Sequence, residues 1–328
     1  MSTAAQEIAA WTAPSFGALR RLLRDPGARV GLVLVTLFLG LAVLGPIIAP
    51  QDPLEVTVER LEGPSARHLL GTDGLGRDVL SRILTGARLS LGTALLASVL
   101  VTAIGVVVGT LAGFYGGLLD RLLMRVVDVV LAVPGLALAL AVTGLFDQSL
   151  TAVMLGLVTI WWAGYARVVR GLVLSIRERQ FVEAARSAGV TESRIMLRHV
   201  LPNAVSPVIV LATLEIGQLI LAVSGLTFLG LGAPPPTPEW GAMLNESRIY
   251  FLSDPHVVFI PGLTISLAVL GFNLLGDGIR DALDPHQAVP SRRQLARLRM
   301  LGRSRPASAA AGPPAVTGTR PSPDRAAG

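Results

Sequence analysis

The sequence predicts an all-α polytopic membrane protein with six transmembrane helices. Three observations carry that prediction. Hydrophobic residues make up 52% of the 328 and charged ones only 15%, too apolar a balance for an ordinary soluble chain. Several windows carry no charge or a single acid over about 20 residues, the length a helix needs to cross the hydrocarbon core. The remaining charges gather into islands between those windows. All 28 basic residues are arginine, and they flank apolar windows, which points to membrane topology rather than nucleic-acid binding. With no cysteine in the chain, disulfides, thiolate chemistry and Cys-ligated metals are excluded.

In chain order, residues 1–29 form an arm, read as cytoplasmic, in which Arg20, Arg21, Arg24 and Arg29 precede the first apolar run. Residues 30–49 form the first transmembrane helix. This run exceeds the roughly 7–15 apolar residues of a cleaved signal peptide, and Pro46 and Pro50 mark its end, so it is read as retained. Residues 50–88 are polar and mixed in charge, an external connecting segment. Residues 89–285 hold the remaining five spans. Leu89 to Leu119 is uncharged and ends near the Gly113-Phe114-Tyr115-Gly116-Gly117 turn. Val126 to Phe146 is the third span, with Pro134 to kink it and Asp128 near one end, expected to pair with Arg125 or interfacial water. Leu150 to Ala166 is the fourth, its Trp161, Trp162 and Tyr165 placed at the interface that amphipathic rings favour. The fifth runs from Ala204 to about Gly232 and holds Glu215. A Pro-rich loop leads to the sixth, Val257 to Gly276. Residues 286–328, rich in Arg and then in Pro, Ala, Ser and Gly, cannot bury a core and are expected to be a disordered cytoplasmic tail.

Between the fourth and fifth spans lies a charged island, residues 177–202. Phe181, Ala184, Ala185 and Ala188 fall at i, i+3, i+4 and i+7, one stripe of a helix, and Arg177, Glu178, Arg179, Glu183 and Arg186 fill most of the rest of the cylinder. Gly189 suits the left-handed position that stops a helix, and Thr191 the N-cap of a second short one. Pro202 lets the next helix restart in its first turn. A helix–Gly–helix with alanines on its apolar stripe is shaped to enter another protein's groove. A solvated arginine-rich loop would account for the charges but not for the stripe or the punctuation. With the amino end in the cytoplasm, six spans put the island and the carboxyl end on the same side. Of the 28 arginines, only Arg60, Arg67, Arg77, Arg82, Arg88 and Arg248 then lie outside, the bias that cytoplasmic loops carry.

The pattern Glu183-Ala184-Ala185, three residues, Gly189, then Leu201-Pro202 after a further eleven resembles the EAA loop of ABC-importer permeases. His199 stands where that family commonly has Ile. Three further blocks narrow the resemblance. They are His68-Leu69-Leu70-Gly71-Thr72-Asp73 with Gly76 to Arg88; Leu226 to Gly232 with Trp240-Gly241 and Met243-Leu244; and Phe272 to Gly278 with Arg280 to Pro285. Together they resemble the dipeptide/oligopeptide/nickel branch, in its C-type permease subunit. The resemblance implies a type I ABC-importer permease fold, with Glu183, Ala184, Ala185, Gly189, Leu201 and Pro202 docking a separate ATPase. It implies as partners a second, different permease subunit, two ATPase subunits that hold ATP and Mg, and an external substrate-binding protein. The expected cargo is a short peptide; nickel and other small solutes share the architecture. The expected location is the bacterial cytoplasmic (inner) membrane, with both termini cytoplasmic and no catalytic residue, metal or cofactor in this chain.

Gly71 to Asp78 superficially fits the front of a phosphate-binding loop, but Arg77 and Asp78 stand where Lys and Ser/Thr are required, and Asp73 would repel phosphate. His68, His199, His256 and His286 are scattered, without metal-ligand spacing. Glu215 is different, because a carboxylate at membrane depth is costly and a functional hypothesis by default. Two readings stay open for it: a protonated or paired acid that stitches helices together, or a wall of the translocation path that meets a peptide's amino terminus. A stand-alone carrier or channel would need its own ion-coupling residues and would leave the island unexplained. A membrane-embedded enzyme would need a metal or nucleophile constellation.

Overall fold

Ten α-helices run through residues 21–283, the part of the chain that the computed structural model describes. Residues 1–20 and 284–328, with most of the expected arm and all of the expected tail, lie outside the described residues. Helix α1 (Pro26–Ile48) starts on Asp25, whose carboxylate accepts the Ala28 N–H at 2.6 Å. Pro26 then occupies the first turn, where its missing N–H is no loss. Helix α2 (Val79–Tyr115) starts on Asp78, which accepts the Ser81 N–H at 2.8 Å, and stops at Gly116. It therefore begins ten residues before the expected Leu89, and takes in Arg82 and Arg88. The apolar window underestimates the helix because Arg82 is neutralised by acids packed against it.

The expected third span is broken rather than kinked. Helices α3 (Gly117–Ala132) and α4 (Gly135–Thr143) meet at 87°. Pro134 cannot donate to the ladder of α3, and Val133 before it is held extended at φ −91°, ψ 135°, the conformation a following proline imposes. Helix α5 (Leu150–Arg177) outruns its window by eleven residues. Arg167 and Arg170, which read as the membrane edge, instead meet acids of α3: Asp128 at 2.6 Å, and Asp120 in a two-pronged pair at 2.6 and 2.7 Å. Asp128 thus pairs across to α5, not along α3 with Arg125. Trp161, Trp162 and Tyr165 consequently sit mid-helix, not at its end.

The chain continues through α6 (Gln180–Ser187), α7 (Glu192–Ile195), a π-turn at Met196–Val200, and α8 (Leu201–Phe228). Helix α9 (Trp240–Ser247) leads through a 3₁₀ turn to α10 (His256–Leu283). Five helices are long and apolar enough to cross a membrane alone, and the bent pair α3–α4, taken as one broken span, makes a sixth. Helix α2 is the hub, packed along α5 and against α1 and α8, while α1 also lies along α10. Gly105, Gly109 and Gly113 form one stripe of α2. A Cβ there would fall 2.7 Å from Tyr165 Cβ, 2.5 Å from the Ala166 carbonyl and 2.8 Å from the Arg170 carbonyl. Lipid tails are as apolar as leucine, so close packing through small residues is what holds such helices together. Followed through six crossings, the chain places residues 50–78 and 229–255 at one end of the bundle and residues 178–200 at the other.

Candidate functional site

The island folds as the punctuation predicts. Helix α6 ends in a paired-bond stop: the Gly189 N–H donates to the Arg186 carbonyl (3.0 Å) and the Val190 N–H to the Ala185 carbonyl (3.2 Å). Gly189 has φ +79°, the left-handed value this motif requires. Thr191 takes the N-cap position of α7 by backbone alone, without a side-chain bond. Arg186 and Glu192 join the two helices across the turn, at 2.6 and 3.2 Å.

The apolar stripe divides, however. Val182, outside the predicted stripe, is fully buried, and Ala185 packs with Val190 against the bundle core. Phe181, Ala184 and Ala188 face outward and are exposed. An eight-residue helix with apolar residues on two faces gives periodicity no means of telling which face its own protein takes. Of the predicted docking residues, Glu183, Ala184, Gly189 and Pro202 are exposed, while Ala185 and Leu201 are half-buried.

Pro202 stands in the first turn of α8, as expected, but the chain does not break before it. Glu192–Phe228 forms one 37-residue rod, about 55 Å long at 1.5 Å per residue. The π-turn absorbs the proline: the Leu201 N–H reaches back five residues to the Met196 carbonyl, and the Asn203 side chain takes the His199 carbonyl. The rod runs from the island into the bundle and carries Glu215.

Glu215 stands midway along α8, about 21 Å from Leu201 along the axis, within a stretch long and apolar enough to cross a membrane. It is half-buried and lines a cleft of about 330 Å³ with Trp161, Gly164 and Tyr165 of α5 and Leu131 and Gly135 from the two sides of the α3–α4 break. The Trp161 indole lines the same cleft as its carboxylate. Tyr165 is held by its hydroxyl, which donates to the Val208 carbonyl at 2.8 Å. Among the lining residues Glu215 carries the one formal charge.

At the opposite end from the island, two of the resembling blocks form a buried polar cap that the sequence did not connect. Arg77 and Arg82 both pair with Asp73 and with Glu246; Arg77 Nε lies 2.7 Å from Asp73, and Arg82 Nη1 2.9 Å from Glu246. Burial works against charge on Asp73, but the Arg82 and Arg77 guanidiniums, with the Arg77 and Leu75 amides, outweigh it and hold this carboxyl below its usual range. Those amides, which could have cradled a phosphate, are thus turned onto Asp73 itself, at 3.0 and 2.9 Å. Buried His68 bridges Asp78 and Glu59, 3.1 Å from each. Glu239 accepts from Ser90 Oγ (2.8 Å) and the Ala242 N–H (2.9 Å), and Trp240 Nε1 donates to the Ile83 carbonyl (3.0 Å). Burial pushes the Glu239 carboxyl above its usual range, against the pull of those bonds.

Comparison with known proteins places this architecture. A family model described as "Binding-protein-dependent transport system inner membrane component" matches residues 105–289, more than half the chain. A second, described as "N-terminal TM domain of oligopeptide transport permease C", matches residues 15–64. The chain is 45% identical over 268 residues to glutathione transport system permease proteins of Shigella boydii serotype 4 and of Escherichia coli, covering 81% of this chain and 88% of theirs. It is 42% identical over 269 residues to a dipeptide transport system permease protein of Alkalihalophilus pseudofirmus, covering 82% and 88%. Six apolar crossings, an exposed helix–Gly–helix knuckle and these matches agree: the chain belongs to the inner-membrane permease components of binding-protein-dependent transport systems, in the oligopeptide-permease branch of that family.

Proposed function

We propose that this chain is one of two membrane subunits of an ATP-driven importer of short peptides. An external binding protein delivers the peptide, and two separate ATPase subunits, which hold ATP and Mg, dock on residues 177–202. The relatives named for glutathione and dipeptide transport support a cargo of two or three residues. The arginine distribution supports a cytoplasmic knuckle and cytoplasmic termini, in the bacterial inner membrane.

The observation that carries this reading is the division of α6. Val182 and Ala185 anchor the helix to its own bundle, while Phe181, Ala184 and Ala188 present an outward apolar row beside Glu183. The row suits a groove in a partner, and the anchor passes the partner's movement inward. The continuous Glu192–Phe228 rod then carries it to Glu215 and the membrane cleft. Closure of the ATPases around nucleotide tilts that rod, a rigid-body change biased by ligand, and the path alternates between inward and outward access. The second permease subunit completes the path.

Purification of the chain with its coexpressed neighbours tests this directly. ATPase subunits are expected to copurify, and the reconstituted complex to accumulate a labelled dipeptide only with ATP and binding protein present. Uptake without any ATPase would return the chain to the stand-alone carriers. Labelling of a cysteine introduced at Ala188 from outside intact cells would overturn the topology.

A further inference from the structure

The cleft around Glu215 has a composition that selects one end of a peptide. We propose that it is a subsite for the protonated amino terminus of the peptide in transit, an inference that rests on the peptide-importer reading above.

Four features of the cleft support it. Its lining carries one carboxylate, Glu215, and no cation. A free carboxyl terminus would therefore meet a like charge at membrane depth, whereas an ammonium group would meet its counter-ion. Trp161 and Tyr165 stand in the same wall, and aromatic faces attract cations most where water is scarce. The volume of about 330 Å³ lies at the small end of ligand pockets, enough for a terminal residue and part of its neighbour. Finally, the space is kept open by glycine: a Cβ on Gly164 would meet nothing within 4 Å, so a larger side chain there would grow into the cleft instead of into a packed neighbour.

Placement on the moving rod gives the subsite a use. Glu215 belongs to the same continuous helix as the knuckle, while Trp161, Gly164 and Tyr165 belong to α5. A tilt of the rod that separates α8 from α5 would part the carboxylate from the aromatic wall and loosen the ammonium group in the transport cycle.

The test uses the reconstituted complex with its binding protein and ATPases, and a dipeptide offered with a free or an N-acetylated amino terminus. Wild type is expected to take up the free form at least about tenfold faster, the size of one well-placed charge contact. Glu215→Gln should bring that ratio close to one by slowing the free peptide, and Glu215→Asp should restore part of it. Gly164→Leu should slow both peptides while the ATPases still copurify. Unchanged preference in Glu215→Gln would place the discrimination in the binding protein and overturn the subsite while peptide import stands. Equal uptake of both forms by wild type would overturn it as well. If wild type hydrolyses ATP but takes up neither form, the peptide reading falls and the subsite with it.

Discussion

The two ends of this molecule use the same residue types in opposite ways. At the cap, Arg82 is 1% exposed and its acids, Asp73 and Glu246, are 10% and 20% exposed. At the knuckle, the Arg186–Glu192 pair is 40% and 48% exposed. The cap joins its charges to one another across the chain, and its apolar ring, Trp240, is fully buried beneath them. The knuckle turns an apolar row outward instead. An ionic network whose charges pair within their own chain fixes shape, whereas exposed charge beside exposed apolar surface is equipped for a partner. Family motifs occur at both ends, so motif strength alone does not separate architecture from docking. Burial does.

The largest effect that would break this comparison belongs to the cap. Arg82→Ala removes one of the two cations that Asp73 and Glu246 share and leaves Arg77 alone between them. Breaking a buried pair by deleting one partner costs about 3–5 kcal/mol, so detergent-solubilised protein should unfold at markedly lower temperature. Adding Glu246→Gln should recover part of the loss. A thermal midpoint unmoved by Arg82→Ala would show that the cap does not hold the fold.

The knuckle comes next, with stability and partner binding separated. Ala184→Asp puts a charge on the outward row; copurification of the ATPases should fall by an order of magnitude or more, while thermal stability shifts within about 0.5 kcal/mol, as for surface positions generally. Ala185→Asp, one residue on, places its carboxylate against Val190 and the bundle, and should lose both. If both variants lose stability alike, the division of α6 into inner and outer faces is wrong.

Those two pairs also mark what the sequence could disclose. The six apolar windows, the Gly189 stop and the Thr191 start were legible because each depends on residues within a few positions of one another. The Arg82–Glu246 pair spans 164 positions and Ser90–Glu239 spans 149, and no local rule reaches that far. Helix ends were misplaced for the same reason. Arg82, Arg167 and Arg170 looked like water-facing edges until acids on other segments neutralised them, so α2 and α5 extend past their apolar windows. Pro134 announced a disturbance, but the right-angle break appears only once α4 packs against α5. For Glu215, hydropathy shows an expensive residue; the aromatic wall that gives it a setting comes from the middle of α5, a distant segment of the chain.

Acid should distinguish the ends more gently. The Asp73 carboxyl is held below its usual range in the folded cap. Its contribution is fully present above the unfolded value of about 3.9, and is lost as pH falls from there through the lower folded value. Protease resistance of residues 50–78 should therefore not fall between pH 8 and 5, where the raised Glu239 carboxyl can only add stability as it takes up its proton, and should decline below about pH 4. Asp73→Asn should be weaker at neutral pH but show less of that decline. A cap that loosens steadily between pH 8 and 5 would mean that another group controls it.

The smallest effect tests the geometry of the docking turn itself. At Gly189 an added Cβ would touch nothing within 4 Å, so the φ of +79° is the sole obstacle to a side chain. Alanine should cost about 1–2 kcal/mol locally for occupying the left-handed region, whereas asparagine, which tolerates that region, should cost a few tenths. Because α6 is anchored by Val182 on the other side of the turn, the loss should appear as a change in the angle between α6 and α7 rather than as unfolding. ATPase copurification should then rank Gly above Asn above Ala, while the thermal midpoint stays nearly constant across the three. A midpoint that falls in step with copurification would show that the turn holds the bundle together and does not merely aim the docking helix.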